Sequence, residues 1–213
     1  ERFGWVASIH PYGERAVEKL DAVIAQGALA IKWLPSAMNI DPRDARCKSF
    51  CARLAATRVP LIVHFGEEQA VPGAGRNEFG NPLLARVPLE AGVRVVMAHC
   101  ASLGHAQDLH KPSAPRVPAF DLFARLMDER AHESLLLGDL SAVLQINRRA
   151  DVARVLLERT DWHGRLLHGR EHNPLLFDFV LKRSVRAGGK RFSAAVFDTR
   201  RHFMPPPKVS IAR

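Results

Sequence analysis

The chain has 213 residues, 47% of them hydrophobic and 25% charged, an ordinary globular balance that excludes a disordered or collagen-like protein. Its longest apolar runs, such as Leu135–Leu137 and Pro60–Val63, fall far short of the ~18 residues that span a membrane. A formal charge of +9 favours anionic partners without specifying one.

Basic residues are scattered among helical segments, and only Lys182–Arg201 is dense in them. Aromatic residues do not interleave with them as in single-strand binders, so nucleic acid is not an expected partner. Cys47, Cys51 and Cys100 cannot form a disulfide framework, and a zinc ribbon would need a second pair. They read as reduced thiols of a cytoplasmic protein. The sequence opens on Glu1, and Arg2–Val6 is not the apolar core of a signal peptide.

In chain order, short apolar runs recur at Trp5–Ile9, Leu29–Leu34, Leu61–Phe65, Val93–Ala98, Leu135–Val143 and Arg165–Leu167. Each is continuous enough to be buried on both faces, as strands of a parallel sheet are. Helical patterns lie between them. Glu14–Gln26 sets Val17, Leu20, Val23 and Ile24 on one face and stops at Gly27. Pro42–Thr57 follows an N-cap at Asp41 with proline in the first helical position. Asn81–Ala91, Phe120–Arg130, Ala150–Thr160 and Pro174–Arg186 are the remaining candidates. This β-α alternation predicts a parallel α/β architecture, either a doubly wound sheet or a barrel. No Gly-x-Gly-x-x-Gly or P-loop pattern supports a nucleotide-binding version, and no Gly-x-Ser-x-Gly elbow supports an α/β-hydrolase.

The ends of the strands carry the chemistry. Lys32, His64 and His99 are separated by 32 and 35 residues, about one βα unit each, so a barrel would bring all three to one mouth. Two imidazoles on adjacent rigid strands are the beginning of a metal site, which for catalytic zinc needs three or so ligands and an open position. His10 holds a similar place on the first run, but the following Pro11 suits a turn equally well. Lys32 is costly to bury alone and is expected to face the mouth, as a cation for a substrate carboxylate or, if carboxylated, as a ligand. Glu67 and Glu68 could serve as acid or base, and Ser141 could line the mouth. Cys100 beside His99 faces the other way and is not expected to pair with it.

Val63-His64-Phe65-Gly66, Val95-Val96-Met97-Ala98-His99-Cys100 and Leu137-Gly138-Asp139-Leu140-Ser141-Ala142 resemble strands 5, 6 and 7 of the metal-dependent amidohydrolase superfamily. Gly27–Pro35 is similar to strand 4 of one branch of it. The resemblance implies a (β/α)₈ TIM barrel with one or two divalent metals, commonly zinc, and His64 and His99 among the ligands. It implies a hydrolase in which metal-activated water attacks an amide, ester or related bond of a small molecule. Lys32 and Glu67 are then the catalytic candidates, and Lys32 and Ser141 the substrate-binding ones. Some relatives decarboxylate instead, and outside the enzymes a catalytically inactive α/β protein holding an anion at its basic mouth remains the alternative.

Two family features have no counterpart here. The His-x-His of strand 1 is absent, the chain opening on what resembles strand 3. No Asp follows the eighth strand, since Leu166-Leu167-His168-Gly169 runs directly into Arg170–Pro174, which reads as the start of a helix capped by Asn173. The expectation is therefore one barrel domain over 1–213 that is incomplete, with N-terminal strands and some mouth loops missing from these residues. Its partner would be a small molecule, with neither nucleic acid nor membrane involved and a homo-oligomer left open.

Overall fold

The computed structural model describes residues 4–69, 71, 75–111, 115–145 and 147–167. The expected helix at Pro174–Arg186 and the Gly169–Arg170 junction lie outside the described residues. Six strands, β1 (Trp5–Ala7), β2 (Ala28–Trp33), β3 (Leu61–Val63), β4 (Val95–Met97), β7 (Leu136–Asp139) and β8 (Leu166–Leu167), form one sheet in that order. Every pairing in it is parallel. β5 (His105–Gln107) and β6 (Arg116–Pro118) make a separate antiparallel hairpin. Because spatial order follows chain order with no reversal, the described sheet is a singly wound arc, and the doubly wound alternative is excluded.

Register explains what each face does. Ile31, Leu61 and Val95 lie side by side, as do Trp33, Val63 and Met97. These residues belong to the main core, covered by α1 (Ala16–Ala25), α3 (Cys47–Thr57), α4 (Arg86–Glu90), α5 (Ala119–Asp128) and α6 (Ala150–Glu158). Alternate positions point the other way. There Ile62, Val96, Leu137 and Leu167 form a second, smaller apolar cluster, and Lys32 stands beside Ile62 in register. Past β1 the sheet is largely buried on both faces, which is why those strands read as continuous apolar runs, whereas Trp5 and Val6 of β1 and Leu29 of β2 are exposed.

Helix boundaries depart from the sequence pattern where side chains offer the backbone other partners. The third helix starts at Cys47, not Pro42. Asp41 accepts the Arg43 N–H at 2.9 Å, and Asp44 accepts that of Arg46 at 2.9 Å, so residues 42–46 are spent in turns. Asn81–Ala91 splits into a 3₁₀ turn at Pro82–Ala85 and α4, with the Asn81 side chain accepting the Leu83 N–H at 3.0 Å. A short α2 (Pro35–Met38) and the hairpin were not expected. The stop at Gly27 is as expected, with φ +90° and its N–H bonded to Ile24 O at 2.9 Å.

The hairpin is locked to α5 by charge. Asp108 is buried and takes both guanidinium nitrogens of Arg125 at 2.9 and 2.8 Å, together with the His110 N–H at 3.1 Å. Those bonds, with Arg125 first, hold the Asp108 carboxyl down to about 2. A depressed folded pKa stabilises above the unfolded value and is lost as pH falls through the folded one. Melting temperatures between pH 5 and 2 should therefore fall more steeply for the wild type than for Asp108→Asn. Parallel curves would refute the linkage.

Candidate active site

The site lies where β3, β4 and β7 end. His64 follows β3, and its imidazole is buried. Its Nδ1 lies 3.3 Å from a Glu68 carboxylate oxygen, and its Nε2 lies 3.3 Å from the Glu67 carbonyl. Burial pushes the His64 pKa down, Glu68 opposes that shift, and the neighbouring His99 and Lys32 charges reinforce it. A neutral ring keeps a nitrogen lone pair, which a metal ligand or a base requires.

His99 follows β4 in an unusual backbone. His99, Cys100 and Ala101 have φ values of 54°, 50° and 48°, three successive non-glycine residues in the left-handed region. Each costs on the order of 1 kcal/mol or more, and the strand therefore ends at Met97. The turn is pinned from β7. His99 N–H donates to Asp139 Oδ2 at 3.2 Å, and Cys100 Sγ–H donates to Asp139 O at 3.3 Å. The two imidazoles meet edge to face with centroids 5.2 Å apart.

Asp139 also accepts the Ser141 N–H at 3.0 Å and the Ser141 hydroxyl. Ser141 is buried, with its carbonyl 2.7 Å and its hydroxyl 2.9 Å from His99 Nδ1. It packs against the histidine. Cys100 turns to the opposite side, into the main core beside Gly138. Its thiol is fully buried, which pushes its pKa well up, and Asp139 adds to the effect. That keeps it inert as a nucleophile.

The sequence candidates divide accordingly. His64, His99 and Ser141 come together, and Lys32 is near enough to His64 to bias its titration. Glu67 is exposed, its N–H tied to Leu103 O at 2.9 Å and its carboxylate taken by Gln69 at 3.0 Å. Glu68 is the carboxylate that reaches His64. His10 is occupied elsewhere, its Nε2 2.8 Å from Met38 O. Glu68 is an acid or base candidate from sequence beside Glu67, whereas Asp139 has no role there beyond its place in the motif. The Asp139-x-Ser141 spacing, a side chain bonding the N–H two residues on, is a recognisable turn signal that could have singled it out. Among the described residues, no three His, Cys, Asp or Glu side chains are grouped to hold a metal ion. A cavity of about 390 Å³, lined by Arg43, Asn81, His105 and Arg116 among others, opens between loops after β2, β3 and β4. Neither His64 nor His99 lines it.

Two solved structures share this architecture. An uncharacterised TIM-barrel protein from Bordetella bronchiseptica superposes at TM-score 0.57, with 15% identity over 89% of this chain and 68% of its own. The fold is that of a TIM barrel. An amidohydrolase II matches at TM-score 0.52, with 12% identity over 94% of this chain and 70% of its own. A proposed metal-dependent hydrolase from Lactobacillus casei overlaps less closely, at TM-score 0.49 with 16% identity over 84% of this chain and 52% of its own. No family model matches the sequence, and no curated protein matches it. In barrels of this kind the strand C-termini form the working face, and there the two histidines stand. No helix among the described residues is long and apolar enough to cross a membrane.

Proposed function

We propose that the chain is a metal-dependent hydrolase, one barrel domain acting on an amide, ester or related bond of a small molecule. The observation that carries this reading is the pairing of His64 and His99, buried on neighbouring strands with ring centroids 5.2 Å apart. Nitrogen donors on adjacent strands suit a divalent ion, zinc by their chemistry. His64 and His99 would be two of its ligands. A divalent ion held there would supply Lewis-acid activation of water and of the scissile carbonyl.

The chain's own groups supply orientation and charge. Glu68 accepts from His64 Nδ1 and sets the ring's angle. Its carboxylate, 3.3 Å from the His64 ring, is placed to move a proton, whereas that of Glu67 is taken by Gln69. Lys32, the cation on the inner face, would hold a substrate carboxylate, so Lys32→Met should raise KM at least tenfold for an anionic substrate with kcat little changed. An equal loss in kcat would show that Lys32 acts on the reacting centre instead. The three buried free thiols fit a reducing, cytoplasmic setting.

The test is metal content and turnover of the purified protein against a panel of amides, esters and lactones. Near-stoichiometric metal and metal-dependent hydrolysis are expected. Metal-dependent CO₂ release without hydrolysis would turn the reading to decarboxylation. Neither metal uptake nor turnover would turn it to an inactive anion-binding barrel.

A further inference from the structure

His99 Nδ1 is surrounded by oxygen. The Ser141 carbonyl at 2.7 Å can only accept, and the nearest Asp139 carboxylate oxygen lies 3.5 Å away. The Ser141 hydroxyl, 2.9 Å from the same nitrogen, spends its proton on Asp139. Nδ1 must therefore carry the hydrogen, and in the neutral ring the lone pair belongs to Nε2. The partners that impose this choice are themselves placed by one side chain. Asp139 receives the Ser141 N–H, the Ser141 hydroxyl and the His99 N–H. It joins the turn after β7 to the left-handed turn after β4.

We propose that Asp139 is a positioning residue that, through Ser141, fixes the tautomer and aim of His99, keeping the hydrogen on Nδ1 and the lone pair on Nε2. Ser141 then serves the histidine and not the substrate. The inference deepens the reading of His99 as a metal ligand or base and rests on it for its purpose, though not for its geometry. A strained left-handed turn held by a carboxylate from another strand gives the site two coupled functions, backbone shape and ring orientation, from one group.

Long-range ¹H–¹⁵N correlation spectra of the metal-free, ¹⁵N-labelled chain, with His99 assigned by His99→Gln, read the tautomer directly. The expected wild-type signature is a protonated Nδ1 and a pyridine-like Nε2. In Asp139→Asn the two nitrogen signals should move toward a tautomer mixture, and zinc affinity should drop 10- to 100-fold. Ser141→Ala, which keeps the carbonyl but loses the hydroxyl bridge, should keep the tautomer and lose about tenfold in zinc affinity. It supplies the readout if Asp139→Asn does not fold. A pyridine-like Nδ1 in the wild type overturns the proposal, as does an unchanged tautomer and zinc affinity in Asp139→Asn. So does unchanged zinc affinity in Ser141→Ala when zinc binds the wild type. If zinc does not bind but the tautomer is as expected and is lost in Asp139→Asn, the metal-dependent reading fails and the positioning role stands.

Discussion

Alanine at His64 or at His99 is expected to lower metal-dependent turnover by more than about 100-fold, because loss of an outer partner of a metal ligand alone costs 10- to 100-fold. The two variants should differ in stability. Removing the His64 ring breaks its contacts with Glu68 and with the Glu67 carbonyl, both belonging to the same loop. Removing the His99 ring leaves the buried Ser141 carbonyl without its donor inside a turn that already holds three left-handed residues. An unsatisfied buried acceptor costs about 1–3 kcal/mol, so His99→Ala should unfold at lower denaturant than His64→Ala. Glutamine at position 99, which can return an N–H toward Ser141, should recover part of the stability and none of the turnover. Turnover within tenfold of wild type in both alanine variants would remove the histidines from the chemistry.

The fold was legible because most of its strands are buried on both sides. A run such as Leu61–Phe65 needs no alternation to declare itself, and six such runs alternating with helical patterns predict a parallel sheet, while the choice between a doubly wound sheet and a barrel comes from the strand order. Strand ends were less legible. Val93–Ala98 and Leu135–Val143 look continuous, yet β4 stops at Met97 and β7 at Asp139. Hydrogen bonds accepted by Asp139 draw both strand ends into turns there, a long-range effect that propensity does not encode. The hairpin His105–Gln107 with Arg116–Pro118 escaped for a related reason. Its strands are three residues long, partly exposed, and held by Asp108 and Arg125 across the chain.

The candidate site followed the same division. His64 and His99 announced themselves by ending strands one βα unit apart. Glu68 did not outrank Glu67, because in a non-helical loop sequence distance does not reveal which of two neighbouring carboxylates turns inward. The backbone bond from Glu67 to Leu103 decides it, and Leu103 belongs to a loop after a different strand. Asp139 sat inside an apolar run, where a carboxylate reads as an interruption until its three donors are seen.

That loop junction also holds a position where a single methyl group is expected to be costly. Gly66, two residues past His64, has φ +89°. A Cβ there would lie 2.8 Å from the Leu103 carbonyl oxygen. That oxygen cannot withdraw cheaply, because it accepts the Glu67 N–H at 2.9 Å. The Gly66 N–H in turn donates to Gly80 O at 2.7 Å, and a Cβ on Gly80 would meet Gly66 O at 2.6 Å, so the glycines close on each other from both sides. Gly66→Ala therefore combines left-handed strain of about 1–2 kcal/mol with a backbone clash, for a total of roughly 3–4 kcal/mol, in the upper range for point variants. Gly27 separates the two contributions, for it has nearly the same φ, +90°, and open space within 4 Å of its Cβ position. Gly27→Ala should cost only the strain. Urea unfolding of both variants measures the difference, and a Gly66→Ala midpoint no lower than that of Gly27→Ala would show that Leu103 yields freely. If the clash holds as drawn, relief must come from shifting the 64–68 segment. Gly66→Ala should then weaken metal retention as well as stability, while Gly27→Ala should leave retention intact.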